Sequence, residues 1–380
     1  MLPALPSDIR TPAYVLDMAR LKRNMATAAR IRAEAGCRVL LATKAFALPA
    51  AFPFMRDYLD GTTASGEYEA RLGREDFGKE VHVYAPAYTE AEVRNLASLA
   101  DHIYFNSPEQ ISRFLPIVKS APTVKVGIRI NPGYSNATLG GELYDPCAPF
   151  SRFGTTRSEI DSIPWEAVDI FHVHALCESL HNGSVGLIEH VAREFAPYIR
   201  RVKAVNFGGG HFINKTGYDV DALIRALRAF RAEFGVEVIL EPGAALVVDA
   251  GYLVASVIGI HRNEKQIAIL DASASCHMPD VLEVPYKPPL IDAAEPGVHP
   301  HNYILGGKTC MTGDIIGEYS FRDPLAVGSR LVFGDMMQYS FVKNTTFNGT
   351  PLPDLAILEE DGGYRVVRKA GYEDFRSRLA

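Results

Sequence analysis

Short apolar runs alternate with helix-like stretches over the first 245 residues of the chain. The runs have the length and composition of buried strands, and the stretches between them, such as 90–99 and 220–233, have the spacing of amphipathic helices. Strands that alternate with helices pair in parallel through right-handed crossovers. Eight such units in roughly 200 residues predict an α/β fold, a closed (β/α)8 TIM-type barrel. The predicted strands are 38–43, 60–64, 81–85, 102–105, 124–130, 168–174, 202–207 and 236–241.

A doubly wound open sheet is the alternative to a barrel. A dinucleotide-binding domain of that class carries a GxGxxG motif directly after its first strand. The residues that follow 38–43 contain no such motif. The barrel is therefore the favoured architecture.

The pattern changes near residue 245. A long apolar stretch with many β-branched residues, 244–260, precedes short strand-like pieces with turn residues between them and little helix. This pattern predicts a barrel over 18–245 and an all-β C-terminal domain over 246–380, with the N-terminal segment 1–17 packing on that domain. The strand-like pieces after this stretch are 266–270, 303–305, 330–333, 338–342, 355–358 and 364–368, and 285–300 is expected to be an irregular loop. Near the N-terminus, 11–17 is predicted to be a strand that opens after a proline.

Composition narrows the class of protein. Of the 380 residues, 47% are hydrophobic and 22% charged, which is typical of a soluble globular protein with a large core. A net charge of −6 argues against nucleic acid and anionic membrane surfaces as partners. Neither a secretory signal nor a membrane-spanning run is expected. The five scattered cysteines, without a CxxC pair, favour reduced thiols and a cytoplasmic location, and no metal-ligand spacing is present.

Four chemically distinctive features stand at the ends of predicted strands. Lys44 follows the first strand, His174 ends the sixth, Gly208-Gly209-Gly210 follows the seventh and Glu241 ends the eighth. The carboxyl ends of all strands meet on one face of a barrel. A lysine with a lowered pKa forms a Schiff base, a histidine stacks on a ring, glycine N–H groups bind phosphate and a carboxylate pairs with a pyridine nitrogen. The set predicts a site for pyridoxal 5′-phosphate (PLP).

Each feature also has an ordinary structural explanation. Lys44 can reach solvent at the barrel rim, the glycine run can be a tight turn before a helix, and Glu241 can cap a helix at the rim. A lone histidine such as His174 is more often a structural residue. In the second domain, Cys310 and Asp314 lie in the glycine-bracketed loop 306–314, where a cysteine and an acid can transfer a proton and hold an ammonium, although an ordinary turn explains them too.

The residues taken together resemble a known family. The segments 11–17, 42–44, 208–210, 241–243, 310–314 and 339–349 resemble the fold-type III PLP-dependent decarboxylases, which include ornithine and diaminopimelate decarboxylases and share the alanine racemase-like fold. The resemblance covers nearly the whole chain. Within the family, 271–280, 310–320 and 341–349 are most similar to the branch that decarboxylates carboxynorspermidine and carboxyspermidine.

The resemblance implies roles for the cofactor-binding residues. Lys44 would hold PLP as a Schiff base, His174 would stack on its ring, and Glu241 would pair with the pyridinium. Gly208, Gly209 and Gly210 would bind the phosphate through backbone N–H groups, and Tyr339 would reach the phosphate from the β domain.

The resemblance also implies a reaction and a partner. The reaction would be α-decarboxylation of a cationic amino acid, carboxynorspermidine or carboxyspermidine, in polyamine (spermidine) biosynthesis. Cys310, delivered by the second subunit of a homodimer with shared active sites, would protonate the carbanion. Asp314 would hold a substrate ammonium, and the further substrate candidates are Glu178, Glu318 and His277.

Two departures from better-known relatives argue against arginine-assisted phosphate binding and move the chain away from diaminopimelate and ornithine decarboxylases. Their His-x-Gly is His174-Ala175-Leu176 here, and Ala244 replaces the arginine of their Glu-Pro-Gly-Arg, which helps to bind phosphate. A diaminopimelate- or ornithine-type decarboxylase remains an alternative. A racemase of this fold would carry arginine in place of Glu241, a non-catalytic PLP carrier would lack the domain after 245, and an aldolase would use Lys44 without PLP.

Overall fold

The computed structural model describes residues 5–121, 123–136 and 144–379. The chain forms two compact units. The first, which we call the sheet unit, consists of the residues up to Arg23 and those from Val247 onward. The second, the barrel unit, consists of Asn24–Leu246. Strand β1 (Ala13–Asp17) and helix α1 (Met18–Ala35) come first in the chain. Within the described residues, no helix is both long and apolar enough to cross a membrane.

The barrel unit contains a closed ring of eight parallel strands, which confirms the predicted TIM-type architecture. Each strand pairs with the next along the chain, and the last pairs with the first. The strands are β2 (Arg38–Ala42), β3 (Gly61–Ala64), β4 (Glu80–Tyr84), β5 (His102–Phe105), β6 (Lys125–Ile130), β7 (Ile170–Val173), β8 (Ala204–Asn206) and β9 (Glu237–Leu240). The helices that follow α1 are α2 (Phe52–Met55), α3 (Glu67–Leu72), α4 (Glu90–Leu99), α5 (Pro108–Lys119), α6 (His181–Ile199), α7 (Val220–Phe234) and α8 (Ala244–Val247).

The helices between the strands begin at the residues that the sequence marks for them. Thr89 and Glu92 form a reciprocal capping box at the start of α4, and Asp219 caps α7 by accepting a hydrogen bond from the N–H of Ala222. Helix α7 ends at Gly235, whose φ of +67° is the left-handed conformation that glycine adopts without strain. The buried side chains of α7 repeat at intervals of three and four residues, so that one face covers the barrel wall.

The sheet unit is mostly β structure, as predicted for the C-terminal domain. Strand β1 lies inside its sheet, where it pairs in parallel with β15 (Asp354–Leu358) and antiparallel with β10 (Gly251–Asn263). Val15, Tyr252 and Val332 belong to its buried core. The remaining strands are β11 (Lys265–Leu270), β12 (His301–Gly306), β13 (Ile315–Phe321), β14 (Arg330–Gly334) and β16 (Tyr364–Arg368), and the short helices are α9 (Ala274–His277), α10 (Asp280–Glu283) and α11 (Tyr372–Arg376).

Two features of the sheet unit differ from the sequence prediction. The strand predicted at 338–342 is wrong, because that segment forms turns and Tyr339 has a φ of +49°, which no strand accommodates. Strand β13 was not predicted, since Gly317 and Glu318 interrupt its apolar pattern. The segment 285–300 carries no helix or extended strand and is irregular, as predicted.

A glycine in the barrel wall makes room for a buried aromatic side chain. Gly127 of β6 lies opposite Tyr104 of β5, and a Cβ atom at Gly127 would lie 2.1 Å from Cδ1 of the tyrosine. Tyr104 is completely buried and has no space into which it can move. The size of the residue at 127 therefore determines where the ring of Tyr104 lies.

Gly127→Ala is expected to lower the free energy of unfolding by about 1–3 kcal/mol, the usual cost of overpacking a core. Urea denaturation of the purified wild type and variant measures this change in the free energy of unfolding. The matched control is Gly259→Ala, in strand β10, where a Cβ atom would meet Ile269 at 3.8 Å, an ordinary contact distance. That control is expected to leave stability unchanged or slightly higher. Equal losses in the two variants would contradict the packing explanation.

Candidate active site

Lys44 stands just beyond the carboxyl end of β2, at the mouth of the barrel. Its side chain is accessible to solvent, but protein surrounds it closely enough that desolvation lowers its pKa, and the nearby Arg129 guanidinium lowers it further. Among the described residues, no acceptor lies within hydrogen-bond distance of its ammonium. A lysine in this environment is more readily deprotonated, and a neutral amine is the nucleophile.

Glu241 follows β9 and is buried, with 5% of its surface exposed. Burial raises the pKa of its carboxyl group, and hydrogen bonds from Asn206 and Thr63 act against that rise. Nδ2 of Asn206 donates to Oε1 of Glu241 at 2.7 Å. The carboxylate is thus fixed in position at the end of the barrel.

His174 follows β7, and its ring is held by the glycine run. The N–H of Gly209 donates to Nδ1 of His174 at 3.2 Å, so a neutral ring carries its hydrogen on Nε2. Burial lowers the pKa of His174 well below its ordinary value, and the charge of Lys44 lowers it further. The imidazole is therefore uncharged and presents a flat, fixed ring beside the lysine.

The glycine run after β8 has no room for side chains. A Cβ atom at Gly209 would lie 2.7 Å from the carbonyl oxygen of Glu241, and one at Gly210 would lie 2.2 Å from that of Leu176. Gly208 and Gly210 have φ angles of +66° and +84°, in the left-handed region. The N–H of Gly208 donates to Oδ1 of Asn206 and that of Gly209 to His174, whereas the N–H of Gly210 has no acceptor within the described part of the chain.

Arg129 is a residue of the site that the sequence analysis missed. It lies in β6, is 5% exposed, and donates from Nη2 to the carbonyl oxygen of His174 at 2.9 Å. Its guanidinium stacks over the rings of Tyr84 and Phe153, with distances of 4.5 and 4.6 Å to the ring centroids. The available signal was a lone arginine between Ile128 and Ile130 of an apolar strand. It places a fixed positive charge beside Lys44.

His172 lies inside the barrel with both ring nitrogens unpartnered. Its Nε2 is 3.6 Å from Oε2 of Glu241, beyond hydrogen-bond distance, and its ring packs on that of Tyr104 at 4.7 Å between centroids. Donor atoms of His172, His174 and Glu241 all lie within 4.8 Å of one another, as do those of a second group, Glu80, His82 and His102. Each group combines two residues that are two apart in sequence, Glu80 and His82 or His172 and His174, with a third residue from another strand. That distant third member is what spacing along the sequence does not reveal.

The loop between β12 and β13, in the sheet unit, holds Cys310. The cysteine is exposed, and both its backbone N–H and its Sγ donate to Oδ1 of Asn348, at 2.9 and 3.0 Å. Asn348 has a φ of +57°. Asn348, to which the sequence assigned no role, therefore orients the thiol.

Asp314 lies at the base of the same loop and is 3% exposed. Its Oδ1 accepts hydrogen bonds from Oγ of Ser273 and the N–H of Ser275, and its Oδ2 accepts them from Oγ1 and the N–H of Thr309. Four donors within the sheet unit therefore occupy this carboxylate. They hold the loop that carries Cys310 in one conformation.

The other residues predicted to bind substrate or cofactor have different surroundings. His277 is completely buried, accepts from the N–H of Ser273 and lies 3.0 Å from the carbonyl oxygen of Pro351. Glu318 of β13 pairs with Lys265 at 2.7 Å. Glu178 is exposed at the barrel mouth with a φ of +43°, and Tyr339, in the sheet unit, is half-buried.

Comparisons with known proteins agree with this chemistry. The family described as pyridoxal-dependent decarboxylase, C-terminal sheet domain, matches residues 13–337. The chain is 39% identical to a carboxynorspermidine/carboxyspermidine decarboxylase of Campylobacter jejuni, over 97% of this chain and 98% of the relative. It is 40% identical to a carboxyaminopropylagmatine decarboxylase of Synechocystis, over 98% and 96%. The crystal structure of carboxynorspermidine decarboxylase from Campylobacter jejuni, complexed with norspermidine, superimposes with a TM-score of 0.91 at 38% identity, covering 97% of this chain and 100% of that one.

Proposed function

We propose that this chain, which belongs to the pyridoxal-dependent decarboxylase family with the C-terminal sheet domain, removes the α-carboxylate of a carboxylated polyamine. The observation that carries the proposal is the grouping of a lysine of lowered pKa, a neutral histidine and an anchored carboxylate at one end of a barrel. Sequence identity of 38–40% over nearly the whole chain to decarboxylases of carboxylated polyamines supports the substrate class.

Pyridoxal 5′-phosphate fits the residues at the barrel mouth. Lys44 supplies an amine without a competing acceptor, the glycine run supplies backbone where a Cβ atom has no room, and Glu241 supplies a buried carboxylate that hydrogen bonds hold. When bound, the cofactor supplies an electron sink that accepts the electron pair left by the departing CO2. The arginine that relatives use at the phosphate is Ala244 here, so the backbone N–H groups of the glycine run would take the larger share of phosphate binding.

The protein side chains have separate tasks in this reaction. Lys44 would hold the cofactor covalently. Glu241, when ionised, would pair with its ring nitrogen and favour the protonated form there, and the neutral His174 would lie beside the ring without adding charge. Arg129 raises the positive potential around Lys44, which favours the amine over the ammonium.

Cys310 is the proposed proton donor to the substrate Cα. Its thiol is exposed and is oriented by Asn348, so that one fixed S–H group is available. We assign it to a site completed by the second subunit of a homodimer, as the family resemblance implies. The five cysteines are all free thiols in the structure, consistent with a reaction in the reducing cytoplasm.

Glu178 is the acid that we assign to the cationic tail of the substrate. It is exposed at the barrel mouth, and its backbone is in the left-handed region, where strain is often associated with functional sites. Asp314 and Glu318 have donors of their own within the sheet unit, and His277 is fully buried. We assign these three residues to the framework around the site.

A CO2-release panel tests the substrate class. We expect turnover of carboxynorspermidine, carboxyspermidine and carboxyaminopropylagmatine, with kcat/KM at least about 100-fold above the values for diaminopimelate and ornithine. The three carboxylated amines differ in tail length and end group, so their relative rates identify the natural substrate. Faster turnover of diaminopimelate or ornithine would contradict the proposed substrate class while leaving the decarboxylase chemistry intact.

A further inference from the structure

Asn206, the last residue of β8, has every hydrogen-bonding group of its side chain engaged inside the barrel. It is completely buried. Its Nδ2 donates to Oε1 of Glu241 at 2.7 Å and to the hydroxyl of Tyr104 at 2.9 Å, while its Oδ1 accepts from the N–H of Gly208 at 2.8 Å. A backbone N–H only donates, so Oδ1 must face Gly208 and the two amide hydrogens must face Glu241 and Tyr104.

Further hydrogen bonds lead from Tyr104 into the interior of the barrel. The hydroxyl of Tyr104 accepts from Asn206 and gives its single hydrogen to Nδ1 of His82, 2.9 Å away. Burial lowers the pKa of His82 to about 3, so the ring is neutral and carries its one hydrogen on Nε2, which faces Oε2 of Glu80 at 3.3 Å. Each group is fixed by the next, and the amide of Asn206 cannot turn over without losing all three of its bonds.

We infer that Asn206 is a positioning residue, which holds the carboxylate of Glu241 ionised and in one orientation and links it to the glycine run. This inference rests on the proposed function, because it takes Glu241 to be the partner of the cofactor ring nitrogen. A donated hydrogen bond stabilises a carboxylate over a carboxylic acid. The same amide holds the N–H of Gly208, so the carboxylate and the start of the phosphate loop keep a constant separation.

The other neighbours of Glu241 hold it less completely. Thr63 contributes one hydroxyl. His172 comes no closer than 3.6 Å and makes no hydrogen bond. The backbone N–H of Glu241 also donates to the carbonyl oxygen of Gly208 at 2.8 Å, so the two chain segments are joined directly. Among the described residues, Asn206 is the side chain that bonds the carboxylate of Glu241, the N–H of Gly208 and the hydroxyl of Tyr104 together.

A comparison of two cofactors tests the inference by binding alone. In 1-deaza-pyridoxal 5′-phosphate a C–H group replaces the ring nitrogen, so pairing with Glu241 strengthens binding only of the natural cofactor. Cofactor-free protein is titrated with each compound by fluorescence quenching, and the measured quantity is the ratio of the two Kd values. The wild type is expected to prefer the natural cofactor, and Glu241→Gln to lose that preference. In Asn206→Asp and in Asn206→Ala, the preference for the natural cofactor, measured as this ratio, is expected to fall at least about tenfold.

The matched control is Asn214→Asp. Asn214 is also a partly buried asparagine after β8, but its Nδ2 donates to the carbonyl oxygen of Ala245 and it does not contact Glu241. The control is expected to keep the wild-type preference. Because Asn206→Ala adds no buried charge, it replaces Asn206→Asp in the test if the aspartate variant does not fold.

The titrations distinguish the pairing of Glu241 with the ring nitrogen from the positioning role of Asn206. If Glu241→Gln keeps the preference, the proposed pairing of Glu241 with the ring nitrogen is wrong, and the inference fails with it. If Glu241→Gln loses the preference while folded Asn206 variants retain it, the inference alone is wrong. The inference is supported if the preference for the natural cofactor is lost in Glu241→Gln and in both Asn206 variants and is retained in Asn214→Asp.

The pH dependence of the loaded enzyme gives a second measurement. Asn206→Asp places a second carboxylate beside Glu241, and two buried like charges raise the pKa of one of the pair. Ionised Glu241 then predominates only at higher pH, so the acid limb of the kcat–pH profile is expected to move upward by about one unit or more. A purely structural role for Asn206 would lower the melting temperature and leave that limb in place.

Discussion

Lys44→Ala is expected to lower kcat for decarboxylation by at least about four orders of magnitude. The variant lacks the only amine assigned to covalent attachment of the cofactor, and its neighbours His174 and Glu241 have no group that replaces it. CO2 release under saturating substrate measures the loss. The absorbance band at about 420 nm that is characteristic of a lysine-bound cofactor is expected to disappear as well.

The matched control is Lys203→Ala, which removes a lysine at an exposed ion pair with Asp169 and is expected to retain activity and the band. Partial recovery of Lys44→Ala by a small primary amine in solution would show that the missing group is the amine. A variant lacking Lys44 that keeps both the band and the activity would refute the assignment of the cofactor site. An active wild type without the band would instead favour a lysine-dependent aldolase.

Cys310→Ala is expected to lower kcat by about 100- to 10,000-fold, the usual contribution of a positioned proton donor. Binding of the cofactor is expected to stay unchanged, because Cys310 is not among the groups assigned to hold it. The matched control is Cys147→Ala, a half-buried cysteine of the barrel unit outside the proposed chemistry. Loss of activity in both variants would point to general damage.

Mixing the two inactive variants tests whether the sites are shared between subunits. A homodimer with shared sites that forms at random from Lys44→Ala and Cys310→Ala chains contains about half mixed dimers, each with one intact site. The mixture is then expected to reach about a quarter of the wild-type activity. If one chain supplies both groups to its own site, the mixture stays inactive. Analytical ultracentrifugation shows whether the wild type is a dimer and whether each variant has the same oligomeric state.

The barrel could be predicted from the sequence because its strands are short apolar runs separated by helical spacing. The prediction at 102–105 coincides with the observed β5, and the other barrel strands differ only at their ends. Near 338–342 the same reasoning failed, since apolar residues in sequence do not reveal the left-handed conformation of Tyr339. Long-range packing, and not local composition, decides such a turn.

The candidate site could be predicted in part for a geometric reason. Residues just after parallel strands meet on one face, so the grouping of Lys44, His174 and Glu241 follows once the strands are recognised. Asn206 and Tyr104 are different, because their side chains point into the barrel from within strands that are three apart in the ring. Their contact depends on the tilt of the barrel, which no local pattern contains. Nor does spacing reveal that the donors of Asp314 come from its own unit.

The close approach of Gly127 to Tyr104 has a consequence for how this chain can change over evolution. A side chain at one of the two positions excludes a large ring at the other, since the added Cβ atom would overlap the ring. Tyr104 in turn carries the hydroxyl that Asn206 uses. A mutation that replaces the glycine is therefore less costly once the tyrosine has been lost, so one order of substitution at the two positions is favoured over the other.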